Sequence, residues 1–343
     1  AMRLLNKPVP QHHPHPRSQQ GITLIELMIA LVIGLLATGA MLKVYVDSSR
    51  LYRFNEGLAH IQENGRFGLE FIRRDARMAG FWGCYHGADL TNRISPGSTG
   101  YISYESNDIT GTNNDGLNSS DSIAFSGAGN SVATVSSNMT SADSAIPISS
   151  TGNFELGEAL LISDCETADI FQLTSIGGSS PSLTLEHGTE GNTSAELSKA
   201  YAAGSRLYRV QQITFCIAQG ADPAQPSLRQ LVNPTSDQTC QDHGDELVEG
   251  IENMQVWFGE DTDADSEGTG GDGTANRYVP PDTSDLDMDR VVSVRIFLLA
   301  RSLNDNLTTE LSPYYFVDQK IIPTDKRLRK VFTTTITLRN KTE

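Results

Sequence analysis

The sequence predicts an α+β chain: a very long N-terminal helix whose outer half packs on an antiparallel β-sheet head, with an extra β-rich insertion in that head. Three observations predict it. Residues 22–46 form an apolar run in which only Glu26 and Lys43 are charged. Small and apolar residues then recur every three or four positions from Leu51 to Ala79, the spacing of one helix face. Beyond residue 90, short β-prone runs alternate with clusters of Gly, Ser, Asn and Asp, as strands alternate with turns.

Residues 1–21 come first. They hold Arg3, Lys7 and Arg17, several prolines and histidines, and no acid. An ordinary secretory signal places its apolar region before the cleavage site. Here the apolar run begins after Gly21, so a cut there removes a basic leader and keeps the anchor. A helix of about 20 residues, at about 1.5 Å per residue, crosses the hydrocarbon core. The basic leader predicts a cytoplasmic N-terminus and a head on the far side. Glu26 is the costly residue of this run, about 2.5–3.5 kcal/mol in a membrane helix. Such a carboxylate calls for a counter-charge.

Residues 47–81 continue the helix without a proline. Leu51, Phe54, Leu58, Ile61, Ile72, Ala76 and Ala79 make its apolar face, and Arg66, Glu70, Arg73, Arg74 and Arg77 fall mostly on the wet side. Gly65 and Gly68 weaken it by about 1 kcal/mol each and mark either a flexible stretch or a close approach of the head.

Residues 82–205 read as the β-rich insertion, with strands expected at 122–125, 132–135, 159–163, 170–174 and 182–185. From residue 206 to 343 the strands lengthen, at 207–217, 246–258, 291–300 and 331–338, with an acidic loop at 259–289. Residues 291–300 are apolar enough for a central strand, and 331–338 alternate as a strand with one wet face.

The net charge of −16, or −19 without the first 21 residues, excludes a nucleic-acid partner. It suits a solvated extracellular surface. Four cysteines allow three pairings. The expected one joins Cys216 to Cys240, restraining a Pro- and Gly-rich loop that lacks order of its own, and Cys84 to Cys165, tying the insertion to the helix end. Asp261, Asp263 and Asp265 stand at alternate positions, with Asp272 at the twelfth, an oxygen set suited to one Ca²⁺. Against that, Ser266 replaces the turn glycine of an EF-hand and no helix flanks the loop. The plain alternative is a solvated acidic loop. Gly268, Gly270 and Gly273 match a dinucleotide fingerprint only as a string, because the surrounding acids repel a pyrophosphate. Cys240 and His243 lack the second ligand pair of a zinc site. No nucleophile elbow, H-E-x-x-H or P-loop occurs, and no catalytic residue is expected.

Gly21-Ile22-Thr23-Leu24-Ile25-Glu26-Leu27 resembles the processing motif of type IV prepilins and of type II secretion pseudopilins. The resemblance implies cleavage after Gly21 by a prepilin peptidase and N-methylation of Ile22, where Phe is the commoner residue. It implies that Glu26 pairs with the N-terminal amine of a neighbouring subunit. Arg74 to Cys84, Gly250 to Val256, Arg290 to Arg301 and Val331 to Asn340 resemble PilW-type minor pilins. Residues 91–200 match nothing in that family.

The resemblance implies a minor pilin of a type IV pilus, in a tip complex that primes assembly and stays in the filament. The implied partners are other minor pilins, the major pilin and an inner-membrane assembly platform. The head would be periplasmic before assembly and on the cell surface after it, in a Gram-negative bacterium. Two alternatives stand beside it: a J-type pseudopilin of type II secretion, and a tip adhesin acting through 91–200. Apex pseudopilins of the K type usually lack the acid that this chain keeps at Glu26.

Overall fold

The computed structural model describes residues 21–84, 90–98, 101, 108–149, 153–179, 182–235, 237–263 and 271–341. The fold is α+β and pilin-like, a long N-terminal helix followed by a β-rich head. Helix α1 spans Leu24–Ala76. The chain divides into two compact units between Arg53 and Phe54.

In the first unit the helix is exposed almost throughout, with a window of mean hydropathy 2.3. It is long and apolar enough to cross a membrane. Thr38 returns its hydroxyl to the Gly34 carbonyl at 2.8 Å, so this polar group needs no outside partner.

In the second unit α1 turns one face inward. Ile61, Gly65, Gly68, Leu69, Ile72, Asp75 and Ala76 are buried there. The helix ends at Ala76 and unwinds through turns to Gly80, slightly short of the expected stop at 81. Gly80 takes φ +72°, a conformation that costs a side chain, and its N–H donates to the Ser126 carbonyl at 2.9 Å. The Asn340 amide donates to the Ala79 carbonyl at 2.8 Å and closes the helix end.

The described strands, in chain order, are β1 (Leu90–Asn92), β2 (Ile109–Thr112), β3 (Ser122–Val135), β4 (Ile146–Ser149), β5 (Ala159–Ser163), β6 (Ala168–Gln172), β7 (Ser175–Ser179), β8 (Ser182–Glu186), β9 (Arg206–Gln219), β10 (Pro226–Val232), β11 (Asp245–Glu249), β12 (Ile251–Glu260), β13 (Arg277–Val279), β14 (Val291–Arg301), β15 (Tyr314–Phe316), β16 (Gln319–Ile321) and β17 (Arg329–Thr337). A large sheet runs β1-β6-β5-β9-β3-β4-β8-β7, with β2 beside β3 and with β10 joining β9 to β11. All its pairs are antiparallel except β1 with β6. A four-stranded antiparallel sheet runs β13-β12-β14-β17, and β15 and β16 form a separate hairpin.

Alternation along the strands makes three apolar layers. Leu160, Ile162, Phe171 and Leu207 face one way and pack with Ile146, Ile148, Leu185 and Tyr201. Leu161, Ile170 and Tyr208, one residue out of phase, pack with Trp82, Ile94 and Val210 on the other face. The third layer holds α1 through Ile61, Leu69, Ile72 and Ala76, against Met254, Val256 and Phe258 of β12 and Val294, Ile296 and Leu298 of β14.

Three expectations change. The runs 122–125 and 132–135 are one 14-residue strand, β3. The run 246–258 breaks at Gly250, φ +74°, whose N–H and carbonyl bond Pro226 and Arg301. The loop between Cys216 and Cys240 has order: β10 pairs with β9 along its whole length, because Leu228 and Leu231 bury and Pro226 stands at the first residue, where its missing donor is harmless. Strands β9 to β11 lie in the same sheet as the strands before residue 205.

Candidate functional site

The N-terminal site is built from Gly21 to Glu26. Gly21 and Ile22 precede the helix and are exposed, and beyond the chain neighbours no described atom lies within 4 Å of where a Gly21 side chain would begin. This is an open peptide immediately before a helix. Thr23 is the N-cap of α1. Its backbone N–H donates to Glu26 Oε2 at 3.0 Å, its hydroxyl donates to the same oxygen at 2.9 Å, and the Glu26 N–H donates back to Thr23 Oγ1 at 3.3 Å. That is a reciprocal capping box. The carboxylate also faces the positive end of the helix dipole. Within one chain, then, Glu26 already has partners, and Thr-x-x-Glu was the sequence signal for them. A cut after Gly21 leaves the box whole and places a new amine one residue before Thr23. Of the leader, residues 1–21, all but Gly21 lie outside the described residues.

The second element is the outer helix and what seats on it. Phe332 of β17 lies over Gly65 so closely that any side chain there would enter its ring. Leu298 of β14 comes within 3.0 Å of the corresponding point on Gly68. The two glycines therefore mark close approach. Arg73 donates to Thr334 Oγ1 at 2.9 Å and pairs with Glu70 at 3.2 Å, while Arg66, Arg74 and Arg77 are exposed.

Asp121 joins the two sheets. Its N–H donates to the Met254 carbonyl at 2.8 Å, and its carboxylate accepts from the N–H groups of Asn114 (2.9 Å) and Val256 (2.7 Å). Burial pushes its pKa up to about 6 despite these donors. In the insertion, fully buried Asp169 accepts from Arg93 Nε at 3.1 Å, Ser198 N–H at 2.9 Å and Tyr201 OH at 2.7 Å. Burial and that carboxylate push the Tyr201 phenol far up. It stays a hydrogen-bond donor at any relevant pH.

Two disulfides are present. Cys84 and Cys165, with Cα atoms 4.8 Å apart, join the segment after α1 to the β5–β6 turn. Cys216 and Cys240, 6.0 Å apart, join β9 to a single helical turn after β10.

The acidic loop draws Asp261, Asp263 and Asp272 together, with one carboxylate oxygen of each within 4.8 Å of the others. Asp265, Gly268 and Gly270 lie outside the described residues. Buried Asp261 accepts from the N–H groups of Asp263 (3.1 Å) and Gly273 (2.7 Å). Nearby, buried Glu260 pairs with Arg277 at 2.6 Å, and Arg277 also pairs with Asp285 at 2.7 Å. Strands β12 and β13, not helices, flank this loop.

Two family models match. Residues 214–340 match "Type IV Pilus-assembly protein W", and residues 16–42 match "Prokaryotic N-terminal methylation motif". Residues 43–213, which include Arg74 to Cys84 and the insertion, lie outside both matches. No curated protein and no solved structure matches the chain.

Proposed function

From the premise that this chain is a PilW-family pilin with a prepilin-type N-terminus, we propose that it is a minor pilin of a type IV pilus. It would join a tip complex with other minor pilins, prime assembly and remain in the filament with the major pilin. The carrying observation is the methylation motif at 16–42 ahead of a PilW domain at 214–340. The bulky head, 262 of 343 residues, suits a tip better than a repeating shaft. The role is structural, and no catalytic step is assigned.

In this reading a prepilin peptidase cuts after Gly21, Ile22 is methylated, and the assembly platform extracts the apolar helix from the inner membrane. Glu26 then accepts the neighbouring subunit's amine while Thr23 still caps the helix. Glu26→Ala should leave the head folded and processing intact, yet reduce recovery of the chain in sheared pili at least tenfold. Equal recovery removes the role given to Glu26. Deleting the gene in the source organism tests the larger claim. Loss of surface pili and twitching is the expected outcome; normal piliation overturns it, and a secretion defect with intact twitching points to a J-type pseudopilin.

A tip adhesin is favoured by one observation: the insertion builds two apolar layers, shared with β9, from residues outside both family matches. Filaments that form without 91–200 but lose surface adhesion would support it. For the acidic loop we propose Ca²⁺, held by Asp261, Asp263 and Asp272 with Asp265 as a fourth ligand. Calorimetry on the full chain in detergent should show one exothermic site, lost in Asp261→Asn. Absence of heat at millimolar Ca²⁺ removes this assignment.

A further inference from the structure

Residues 303–328 form an arm that carries the β15–β16 hairpin. Its base packs on α1, where Leu307 and Leu328 approach Gly57. Val317 and Asp318 both take positive φ, 45° and 61°, as a tight two-residue turn requires. Phe316 is buried, and the Tyr314 ring lies 5.6 Å from the Arg329 guanidinium, itself paired with Glu252 and Asp325. The inner side of the hairpin is thereby fastened.

The other side is apolar and bare. Tyr315 is 68% exposed, Ile322 67% and Leu311 45%. Tyr315 stands opposite Lys320 in the register. Lys320, Lys326 and Lys330 enter no ion pair among the described residues. Arg327 and Arg329 are taken up by Asp325 and Glu252, which leaves Lys320, Lys326 and Lys330 against the exposed Asp318, a locally positive stretch in a chain of net charge −16. A tyrosine with aliphatic neighbours and lysines suits the headgroup layer of a bilayer, where rings sit at the interface and ammonium groups reach lipid phosphates.

We propose that this hairpin is a membrane-surface contact, with Tyr315, Ile322 and Leu311 at headgroup depth and Lys320 and Lys326 on anionic phospholipid. The inference rests on the reading of 22–46 as a membrane anchor.

The test uses the full chain in nanodiscs containing phosphatidylglycerol and a lipid bearing a headgroup nitroxide. A fluorescent thiol label is placed on Tyr315→Cys, and separately on Leu156→Cys, an exposed position in the insertion. Non-reducing conditions keep both disulfides. We expect quenching at 315 at least threefold that at 156. The double change Lys320→Glu, Lys326→Glu should at least halve it, with an unchanged thermal melt. Equal quenching at both positions overturns the proposal, as does quenching that survives charge reversal. Ile322→Cys repeats the measurement should Tyr315→Cys misfold. Failure of the chain to enter nanodiscs would instead defeat the anchor reading. Entry without quenching at 315 defeats only the hairpin proposal and leaves this face to a protein partner.

Discussion

Glu26 and Asp121 are both carboxylates met by backbone N–H groups, but burial separates them. Glu26 is exposed in the single chain and its donors lie three residues away. Asp121 is 1% exposed and its donors lie 7 and 135 residues away. The first was legible as a charge inside an apolar run. The second was not, because neither Asn114 nor Val256 advertises a partner in its own stretch of sequence. The raised pKa of Asp121 has a definite sign. The folded state binds the proton more tightly than the unfolded chain, so stability falls as pH rises from about 4 to about 6. Above pH 6 the ionised carboxylate costs on the order of 3 kcal/mol against acidic conditions, at about 1.4 kcal/mol per unit. Thermal melts across pH 4–7 should show this decline in the native chain. In Asp121→Asn the decline should flatten, and an unchanged slope would assign it to other groups.

At the scale of elements, α1 is seated by absent side chains as much as by present ones. Gly65→Leu forces Phe332 aside and should cost about 1–3 kcal/mol in chemical denaturation. Combined with Phe332→Ala, which opens the space, the pair should cost less than the two single losses together. Strictly additive losses would mean the two positions do not share that space. The helix was legible from its unbroken 3–4 spacing, and strands β5, β8, β14 and β17 from their apolar or alternating runs. Strand β10 was hidden by flanking prolines and glycines, and pairing with β9 decides it instead. The break at Gly250 was hidden inside a run that alternates like a strand on both sides. In the acidic loop the spacing of aspartates was readable, but the flanking strands and the Glu260–Arg277 brace come from pairing across the small sheet.

For the whole molecule, the disulfides span 81 and 24 residues. By loop-closure entropy they are worth about 4 and about 3 kcal/mol. Replacing Cys84 and Cys165 by Ser should lower the melting temperature more than replacing Cys216 and Cys240, and differential scanning calorimetry would rank them. The reverse ranking would mean the Cys216–Cys240 loop, ordered by β10, loses more than chain entropy. The third layer carries a different consequence, one of timing. Arg73 meets Thr334, and Ala79 meets Asn340, across 261 residues each. Loop closure over such a span is entropically late. The inner face of α1 must therefore wait, bare, until strands β14 and β17 have been synthesised and delivered. The growing chain thus passes through a stage in which the apolar inner face of its outer helix has no cover.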